Sequence, residues 1–417
     1  MNEKTVAALI VICFIVVSIG SATAINQNKD EQVGLQDNMY GVQWEKNYGP
    51  DPGYGARYEG PQPIGDCDDD GLNELLVGGR DGMLRVMEWD SQQQVYEETT
   101  QIYGPLYRWL SLLQRFGLSS GPMDPGGFAI GDLTGDGKNE IAATWMAGVH
   151  KFNGRRYQLI GFNSWIFRNG GGNPDCFIGD YDDDGQNELI MSGGPLEDGA
   201  PVPEIVIYEW RNNRLVQEAI WDDVGVDGYV FYAGLGDADN DGDTEIVCGT
   251  ANKVVVLDWN AVNECFDETI IKRTHGWDGY PFANIIRDSD QDGLNELHVS
   301  YTGPMISIFE WDGDSYEIKY EKIWHGEGWL IEALDVGDVD DDGIPEVCAG
   351  TDIIHILQWN GTDYEEEALI TETFGDLAVL NIGDCDNDGK NEIHAGSVIV
   401  EDGEDFMAWI FKYGWNS

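Results

Sequence analysis

Basic residues are scarce in this chain, and their scarcity excludes whole classes of partner. Its 417 residues include 23 Lys and Arg against 77 Asp and Glu, which gives a formal net charge of −54. Such a surface repels the phosphates of nucleic acids and of anionic lipids. The composition therefore predicts that the protein binds no nucleic acid and needs cations to offset its own charge.

Cysteine is also sparse and lacks the spacing of a zinc site. Beyond Cys13 there is no CxxC pair and no cysteine–histidine pattern of the kind that binds zinc. Cys67 and Cys385 occupy the same position in the first and last copies of an internal repeat. A bridge between them and two separate buried thiols are both compatible with the sequence. The remaining cysteines are Cys176, Cys248, Cys265 and Cys348.

Long apolar runs are nearly absent, with one exception near the N-terminus. Lys4 precedes a run from Val6 to Val17, and Ala22-Thr23-Ala24 supplies small residues that signal peptidase accepts. We predict a signal peptide over residues 1–24, a polar tether over 25–40, and a secreted or cell-surface protein whose mature chain has no transmembrane segment. The alternative is an uncleaved membrane anchor, although the run is short for a span of about 20 residues.

An acidic segment recurs seven times along the chain. It reads IGDCDDDGLNE from Ile64 and IGDCDNDGKNE from Ile382, with five related copies between them. The leading aspartates are separated by 66, 48, 57, 51, 50 and 46 residues, which is about the length of one four-stranded propeller blade. The period predicts an all-β fold, a seven-bladed β-propeller of four-stranded antiparallel blades over residues 41–417.

Strand patterns surround each copy of the repeat. Apolar residues alternate after the acidic loop, as in Glu245-Ile246-Val247-Cys248, and a second strand then ends in an aromatic residue. The fixed register of that residue favours packing between blades over a ligand-binding box. The aromatic residues are Trp89, Phe152, Trp210, Trp259, Trp311, Trp359 and Tyr413.

Two segments depart from the repeat. A helical period appears around Leu106 to Phe116, in the longest insertion, and predicts a helix that caps one face. The last repeat ends after its third strand, whereas the segment Gly41–Gly49 resembles the fourth strands elsewhere. We expect Gly41–Gly49 to form the outer strand of blade seven, so that the ring has no open edge.

Each copy carries the spacing D-x-D-x-D-G-x-x-E. Side chains at positions 1, 3 and 5 converge, Gly at position 6 permits a sharp turn, the carbonyl at position 7 adds an oxygen, and Glu at position 9 completes the shell. All-oxygen ligation selects a hard cation, and a flexible shell of six or more oxygens favours Ca²⁺ over Mg²⁺. We predict about seven calcium sites. The ligands in loops one to seven are Asp66, Asp68, Asp70, Leu72 and Glu74; Asp132, Thr134, Asp136, Lys138 and Glu140; Asp180, Asp182, Asp184, Gln186 and Glu188; Asp237, Asp239, Asp241, Asp243 and Glu245; Asp288, Asp290, Asp292, Leu294 and Glu296; Asp338, Asp340, Asp342, Ile344 and Glu346; and Asp384, Asp386, Asp388, Lys390 and Glu392.

Loop two is expected to bind calcium least tightly. Thr134 stands at position 3, where the other six loops have Asp, and the number of charged ligands is a main determinant of calcium affinity. An EF-hand does not fit any of the loops, because strands flank them and Glu falls at position 9. The remaining alternative, acids that merely solvate turns, would not require the alternate-residue spacing.

These segments resemble the FG-GAP and VCBS repeat family, which includes the propeller of integrin α-subunits and many secreted microbial proteins. The resemblance spans Gly41 to Ser417. It implies a seven-bladed propeller with calcium in the acidic loops of one face and, often, a partner on the opposite face. The Gly-Ala-Pro element is not intact, since Val77-Gly78-Gly79 and Cys348-Ala349-Gly350 follow two of the loops. This departure from the family pattern weakens the similarity to integrins.

The face opposite the metal loops is expected to carry a ligand site. Loops that join the outer strand of one blade to the inner strand of the next lie on that face. Aromatic rings there could stack on sugars or hold a peptide, or they could plug the mouth of the propeller. The sequence thus predicts a monomeric extracellular binding or adhesion module for a protein or glycan. The aromatic candidates are Tyr54, Tyr107, Trp165, Tyr229, Trp277 and Trp329.

Two other function classes remain open from the sequence. A secreted polysaccharide lyase or glycosidase would use His275 or His325, which lie beside Trp277 and Trp324 in loops of the same face. No nucleophile elbow, HExxH motif or recognisable carboxylate pair accompanies them, so no catalytic residue is assigned. A structural cell-surface scaffold is the third class.

Overall fold

The computed structural model describes residues 39–49, 63–79, 82–104, 106–116, 126–144, 147–163, 172–194, 196–197, 200–276, 279–373, 375–399 and 406–415. The predicted signal peptide lies outside these residues, as does the predicted tether apart from Met39 and Tyr40. Within the described part, the chain forms seven four-stranded antiparallel sheets, one short helix and one two-stranded hairpin. The predicted seven-bladed propeller is confirmed.

The strands follow the repeat along the chain, four to a blade. Strand β1 (Tyr40–Gly49) comes first, and blade one contains β2 (Ile64–Gly65), β3 (Glu74–Gly79), β4 (Met83–Asp90) and β5 (Val95–Tyr103). Blade two contains β6 (Phe128–Gly131), β7 (Glu140–Ala143), β8 (Gly148–Phe152) and β9 (Tyr157–Gly161). Blade three contains β10 (Gly172–Gly179), β11 (Glu188–Gly194), β14 (Glu204–Trp210) and β15 (Leu215–Asp222), with the hairpin of β12 (Leu196–Glu197) and β13 (Ala200–Pro201) inserted between β11 and β14. Blade four contains β16 (Gly234–Gly236), β17 (Glu245–Thr250), β18 (Lys253–Asn260) and β19 (Cys265–Arg273), and blade five contains β20 (Pro281–Arg287), β21 (Glu296–Tyr301), β22 (Met305–Trp311) and β23 (Tyr316–Ile323). Blade six contains β24 (Ala333–Gly337), β25 (Glu346–Gly350), β26 (Ile354–Trp359) and β27 (Tyr364–Ile370). Blade seven contains β28 (Asp376–Gly383), β29 (Glu392–Ile399) and β30 (Phe406–Tyr413).

We call the strands of each blade A, B, C and D in their order across the sheet, from the propeller axis outward. This order matches the order in the chain for blades one to six. Because antiparallel strands reverse at every connection, all A–B loops lie on one face together with the C–D turns. The B–C and D–A connections lie on the opposite face. The seven acidic repeats are the A–B loops, so they share one face.

Blade seven is completed by the N-terminal strand, as predicted. Its sheet order is β28, β29, β30 and β1, with β1 antiparallel to β30. The pairing runs from Tyr40 opposite Tyr413 to Gly49 opposite Phe406, so the strand begins one residue before the predicted Gly41. The ring therefore presents no unpaired C-strand edge at blade seven.

The apolar core is divided among the interfaces between blades. Each of seven buried clusters joins residues of neighbouring blades, as where Leu189 of blade three packs with Ala142 of blade two. The cluster containing Leu75 of blade one and Ile410 of blade seven closes the ring. Burial of this apolar surface is the main favourable contribution to folding.

Several aromatic residues at the ends of the C strands pack between blades, as predicted, whereas Tyr413 is exposed and contacts Tyr40 of its own blade. Trp259 of blade four lies 5.3 Å from Tyr181 of blade three, measured between ring centroids. Trp210 of blade three lies so close to Gly161 of blade two that a Cβ there would approach the indole to 2.5 Å. The glycine that precedes the leading aspartate has a similar role, since a Cβ on Gly179 would lie 2.3 Å from Leu235 of the next blade.

The predicted helix is present as α1 (Tyr107–Arg115), between blades one and two. None of its residues is buried, and Trp109, Leu112 and Phe116 are exposed at or beside it. Tyr107, Leu110 and Leu113 are partly buried, and the capping of one face by this segment stays a prediction. No helix among the described residues is long and apolar enough to cross a membrane.

Candidate metal centres on one face of the propeller

The acidic loops are held in one conformation by their own backbone. In all seven loops, the carboxylate at position 1 accepts a hydrogen bond from the N–H of the glycine at position 6, over 2.7–3.1 Å. In six loops, the carboxylate at position 5 accepts one from the N–H at position 7. These bonds fix the aspartates before any cation binds.

The glutamate at position 9 is the buried member of each set. Its side chain is at most 3% exposed in every loop, because it begins strand B beneath the loop. In six loops, Oε2 accepts a hydrogen bond from the N–H at position 2, over 2.7–3.0 Å. Burial raises the pKa of Glu74 and Glu392 to about 7 and that of Glu245 and Glu346 to about 8.

Carboxylates of several loops converge closely enough to share one cation. Candidate ligand atoms lie within 4.8 Å of one another in loops one, three, four, five and six. The predicted alternate-residue spacing therefore does bring these side chains together. The converging sets include Asp66, Asp68 and Asp70; Asp180, Asp182 and Glu188; Asp237, Asp239 and Glu245; Asp288, Asp290, Asp292 and Glu296; and Asp338, Asp340 and Glu346.

Loop three contains a buried carboxylate oxygen without a partner. Glu188 is 3% exposed, and its Oε2 has no hydrogen-bond donor among the residues that the structure describes. Burial, followed by the charge of Glu218, raises the pKa of Glu188 to about 9. A neighbouring oxygen, Oδ1 of Asp182, is likewise buried and without a partner. A buried carboxylate is costly unless paired, so this set of oxygens fits a bound cation.

The residues at position 7 were predicted to contribute only their carbonyls. The side chain of Gln186 nevertheless donates a hydrogen bond to Asp184 of its own loop over 3.1 Å, whereas other side chains at this position are exposed or pair with a neighbouring loop. Leu72 and Leu294 are exposed. Lys138 forms an ion pair with Asp69 of loop one over 3.4 Å, and Lys390 forms one with Asp341 of loop six over 2.6 Å. These lysines thus link neighbouring loops.

Two further loop positions matter that the sequence reasoning did not single out. The residue at position 8 is Asn in five loops, and its side-chain amide donates to the backbone carbonyl at position 1 of the preceding loop, over 2.7–2.9 Å. The residue at position 4 has a positive φ, as in Asp69 at 64° and Asn387 at 61°, and its side chain accepts from the neighbouring loop. The Asn-Glu dipeptide that recurs in the repeats is the sequence feature from which the role of position 8 could have been predicted.

Three loops contain a lysine ammonium among their carboxylates. Lys151 lies 2.8 Å from Asp136 and 2.5 Å from Glu140 in loop two. The other two lysines are Lys319, in loop five, and Lys412, in loop seven. All three come from strands C or D of the same blade, outside the nine-residue loops.

The opposite face separates the predicted aromatic candidates into different environments. Tyr229 is partly buried and packs on Phe231, and its backbone carbonyl accepts from the Tyr280 hydroxyl. Tyr107 contacts Tyr103, whereas Trp329 is 50% exposed. Tyr229 thus packs against the fold and Trp329 is free to meet a ligand. Tyr54, Trp165 and Trp277 lie outside the described residues.

The histidines fall into a buried group and an exposed group. His150, His298, His355 and His394 are buried. His355 is held between Glu327 and Glu366 at 2.8 and 2.6 Å, beneath Trp324. His275 and His325 are exposed.

The cysteines in the described part of the chain are unpaired. Five of the six described cysteines are buried, and Cys265 is exposed. Cys67 packs between blades one and two, while Cys385 packs between blades seven and one. The bridge considered from the sequence is therefore not formed, and the alternative of two separate buried thiols describes the structure.

Comparison with known proteins bears on the fold. No protein-family model matches the chain, and no curated protein does. A solved structure described as "Structure of Dos1 propeller" is similar with a TM-score of 0.50 and 9% sequence identity, over 85% of this chain and 79% of that one. At this level of identity, the similarity shows that the chain has a propeller fold.

Proposed function

We propose that this protein is a calcium-binding β-propeller that acts as an extracellular binding module. The acidic loops on one face would hold Ca²⁺ and stiffen the ring, and the opposite face would bind a protein or glycan. The observation that carries the proposal is the loop-three set, in which the buried Glu188 has an unpartnered oxygen beside Asp180 and Asp182.

The donor chemistry supports calcium over other cations. The converging side chains offer carboxylate oxygen atoms, which suit hard cations, whereas zinc and copper prefer sulfur and imidazole. Mg²⁺ demands a near-ideal octahedron and retains several waters.

An extracellular setting agrees with this chemistry. Calcium sites of extracellular modules commonly have dissociation constants of about 10⁻⁴–10⁻³ M, which suits loops of this kind where calcium is abundant. The predicted signal peptide over residues 1–24 is the sequence feature that supports export.

Exposed apolar side chains on the opposite face support a binding role there. The D–A connections carry Trp109 at 59% exposure, Val224 at 73% and Trp329 at 50%. Exposed apolar residues grouped on one face are typical of interaction surfaces, and aromatic rings are frequent anchors in them.

Calcium titration of the mature chain by isothermal calorimetry tests the metal half of the proposal. Saturable calcium binding that persists in excess Mg²⁺ is expected. Absence of heat and of any rise in melting temperature at millimolar calcium would refute it.

A glycan and surface-protein binding screen, with and without calcium, tests the binding half. Trp329→Ala and Trp109→Ala should each weaken a detected interaction by about 1–3 kcal/mol. Val262→Ala, which alters an exposed residue in a C–D turn of the metal-loop face, is the matched control and should leave binding unchanged. Equal loss in all three variants would refute a ligand site on the opposite face. Turnover of a polysaccharide without saturable capture would instead favour an enzyme.

A further inference from the structure

We infer that a lysine of the chain itself takes the place of the cation in loops two, five and seven, so that calcium binds only in loops one, three, four and six. This inference rests on the proposed calcium binding and changes its number and location. Three blades would then have an internal positive charge that needs no metal, and four would depend on calcium.

Loop seven shows the arrangement most completely. Lys412 Nζ lies 2.6 Å from Asp386, 2.8 Å from Asp388 and 2.7 Å from Glu392. These are positions 3, 5 and 9 of the loop. The ammonium group donates hydrogen bonds to Asp386 and Asp388 and forms an ion pair with Glu392, so it contacts the three carboxylates that calcium would need.

Loop two has the same arrangement with one carboxylate fewer. Lys151 Nζ lies 3.3 Å from the Thr134 hydroxyl, 2.8 Å from Asp136 and 2.5 Å from Glu140. The contacts are again to positions 3, 5 and 9. Lys151 is paired directly opposite Glu140 across strands B and C, so the sheet register delivers the ammonium to the loop.

Loop five receives its ammonium from strand D instead. Lys319 Nζ lies 2.5 Å from Asp290, 3.1 Å from Glu296 and 3.3 Å from Glu310. The side chain of Lys319 is only 10% exposed. Four loop carboxylates converge here, of which the ammonium contacts Asp290 and Glu296. Oδ1 of Asp288 is buried without a partner among the described residues.

The other four loops have an acid or an amide where Lys151 and Lys412 stand. Asp258 is paired opposite Glu245 in loop four, and Gln358 opposite Glu346 in loop six. In blade one, Met87 pairs with Leu75, so the next residue, Glu88, stands opposite Glu74. In blade three, Tyr208 pairs with Leu189, so Glu209 stands opposite Glu188. Across the described part of the chain, no lysine or arginine forms an ion pair with carboxylates at positions 1, 3, 5 or 9 of these loops.

Competition between the two cations favours the lysine where it is present. The ammonium is tethered beside the carboxylates, whereas calcium at such sites binds at about 10⁻⁴–10⁻³ M. Calcium would have to displace a half-buried ammonium from its partners, and separating such a pair is costly. Loops two, five and seven should therefore exclude calcium at physiological concentrations.

The count of bound calcium ions on the full mature chain tests the inference. Equilibrium dialysis against saturating calcium should give four ions for the unmodified protein. Lys412→Gln, which keeps the chain length but removes the charge, should bind five. Gln358→Lys, which reproduces the loop-seven arrangement in loop six, should bind three. Circular dichroism spectra establish that each variant is folded.

The outcomes separate this inference from the proposed function. No bound calcium in the unmodified protein would refute calcium binding altogether. Seven ions in the unmodified protein, or an unchanged count in a folded Lys412→Gln variant, would refute the role of the lysines and leave calcium binding intact. If Lys412→Gln does not fold, Gln358→Lys decides, because an unchanged count of four in that variant refutes the inference and a count of three supports it.

Discussion

The side-chain amide of Asn73, in loop one, donates a hydrogen bond to the backbone carbonyl of Asp384, in loop seven, over 2.9 Å. These residues are far apart in sequence, yet the bond has the same form as the one between Asn139 and Asp66 in consecutive blades. The backbone of Asn73 also exchanges hydrogen bonds with the Asn387 side chain. The loops therefore close the ring a second time, independently of strand β1.

Removing this closing hydrogen bond should cost stability. Asn73→Ala is expected to lower the free energy of unfolding by about 1 kcal/mol, the usual net contribution of one hydrogen bond. Gln93→Ala, in an exposed turn of the same blade, is the control and should change it by less than about 0.5 kcal/mol. Urea denaturation in saturating calcium measures both. Equal stability of Asn73→Ala and the unmodified protein would show that the loop contacts do not contribute to closure.

Replacing Glu188 should have opposite effects with and without calcium. In a chelator, Glu188→Gln removes a buried carboxylate oxygen that lacks a partner, so stability should rise by about 1–3 kcal/mol. In excess calcium it removes a ligand, and stability should fall by about 2–3 kcal/mol, the linkage energy at a hundredfold excess over Kd. Thermal and urea denaturation in the two buffers give the comparison, with Asp314→Asn in an exposed turn as the control. A change of the same sign in both buffers would contradict a metal role for Glu188.

Thr134 and Lys151 together determine whether loop two can bind calcium. If the lysine excludes the metal, Thr134→Asp alone should leave the number of bound ions unchanged, since the ammonium stays in place. Thr134→Asp combined with Lys151→Gln should add one ion. Equilibrium dialysis provides the counts. An additional ion with Thr134→Asp alone would support the simpler prediction from sequence, in which the missing carboxylate is what weakens loop two.

His355 should make the stability depend on pH in a defined direction. Burial lowers its pKa, but hydrogen bonds to Glu327 and Glu366 outweigh burial and raise it above the ordinary value. Trp324 and Thr351 are its other close contacts, and Lys322 lies over Trp324. A histidine whose pKa is higher in the folded protein than in the unfolded chain stabilises the fold when it is protonated. Its contribution is full below the pKa of the unfolded chain, about 6.5, and is lost as the pH rises through the pKa of the folded state.

The destabilisation caused by His355→Gln should therefore be greater at pH 6 than at pH 9. His394→Gln is the matched control, because burial lowers the pKa of His394 to about 3. The unfolded chain takes up a proton below about pH 6.5 while the folded His394 does not, so the contribution of His394 falls as pH falls. Urea denaturation over this pH range should give opposite slopes for the two variants. Parallel slopes would contradict the assigned charge state of His355.

The repeat made most of the fold predictable. A seven-copy period with strand alternation fixes the blade number, and the missing fourth strand of the last repeat identified Gly41–Gly49 as its replacement. The helix at Tyr107–Arg115 was also predictable from its period, but its exposure was not. Periodicity identifies an apolar side of a helix and does not show whether the fold supplies a surface to cover it.

The candidate metal ligands were predictable for a related reason, since they lie within nine consecutive residues. The lysines were not, because they reach the loops through pairing of more distant strands. Glu140 and Lys151 are close in sequence, whereas Glu392 and Lys412 are separated by a longer B–C connection. Lys319 lies in a different strand from the other two. No constant spacing links these pairs, so their contacts become evident only once the strand register is known.

Position-resolved metal detection tests most directly whether loops one, three, four and six bind calcium while loops two, five and seven hold a lysine instead. A crystal structure of the mature protein grown in calcium, with anomalous differences measured at long wavelength, would locate each ion. We predict peaks beside Glu74, Glu188, Glu245 and Glu346, with the ammonium groups of Lys151, Lys319 and Lys412 in the other loops. Calcium peaks beside Glu140, Glu296 and Glu392, with those lysines turned away, would contradict the account.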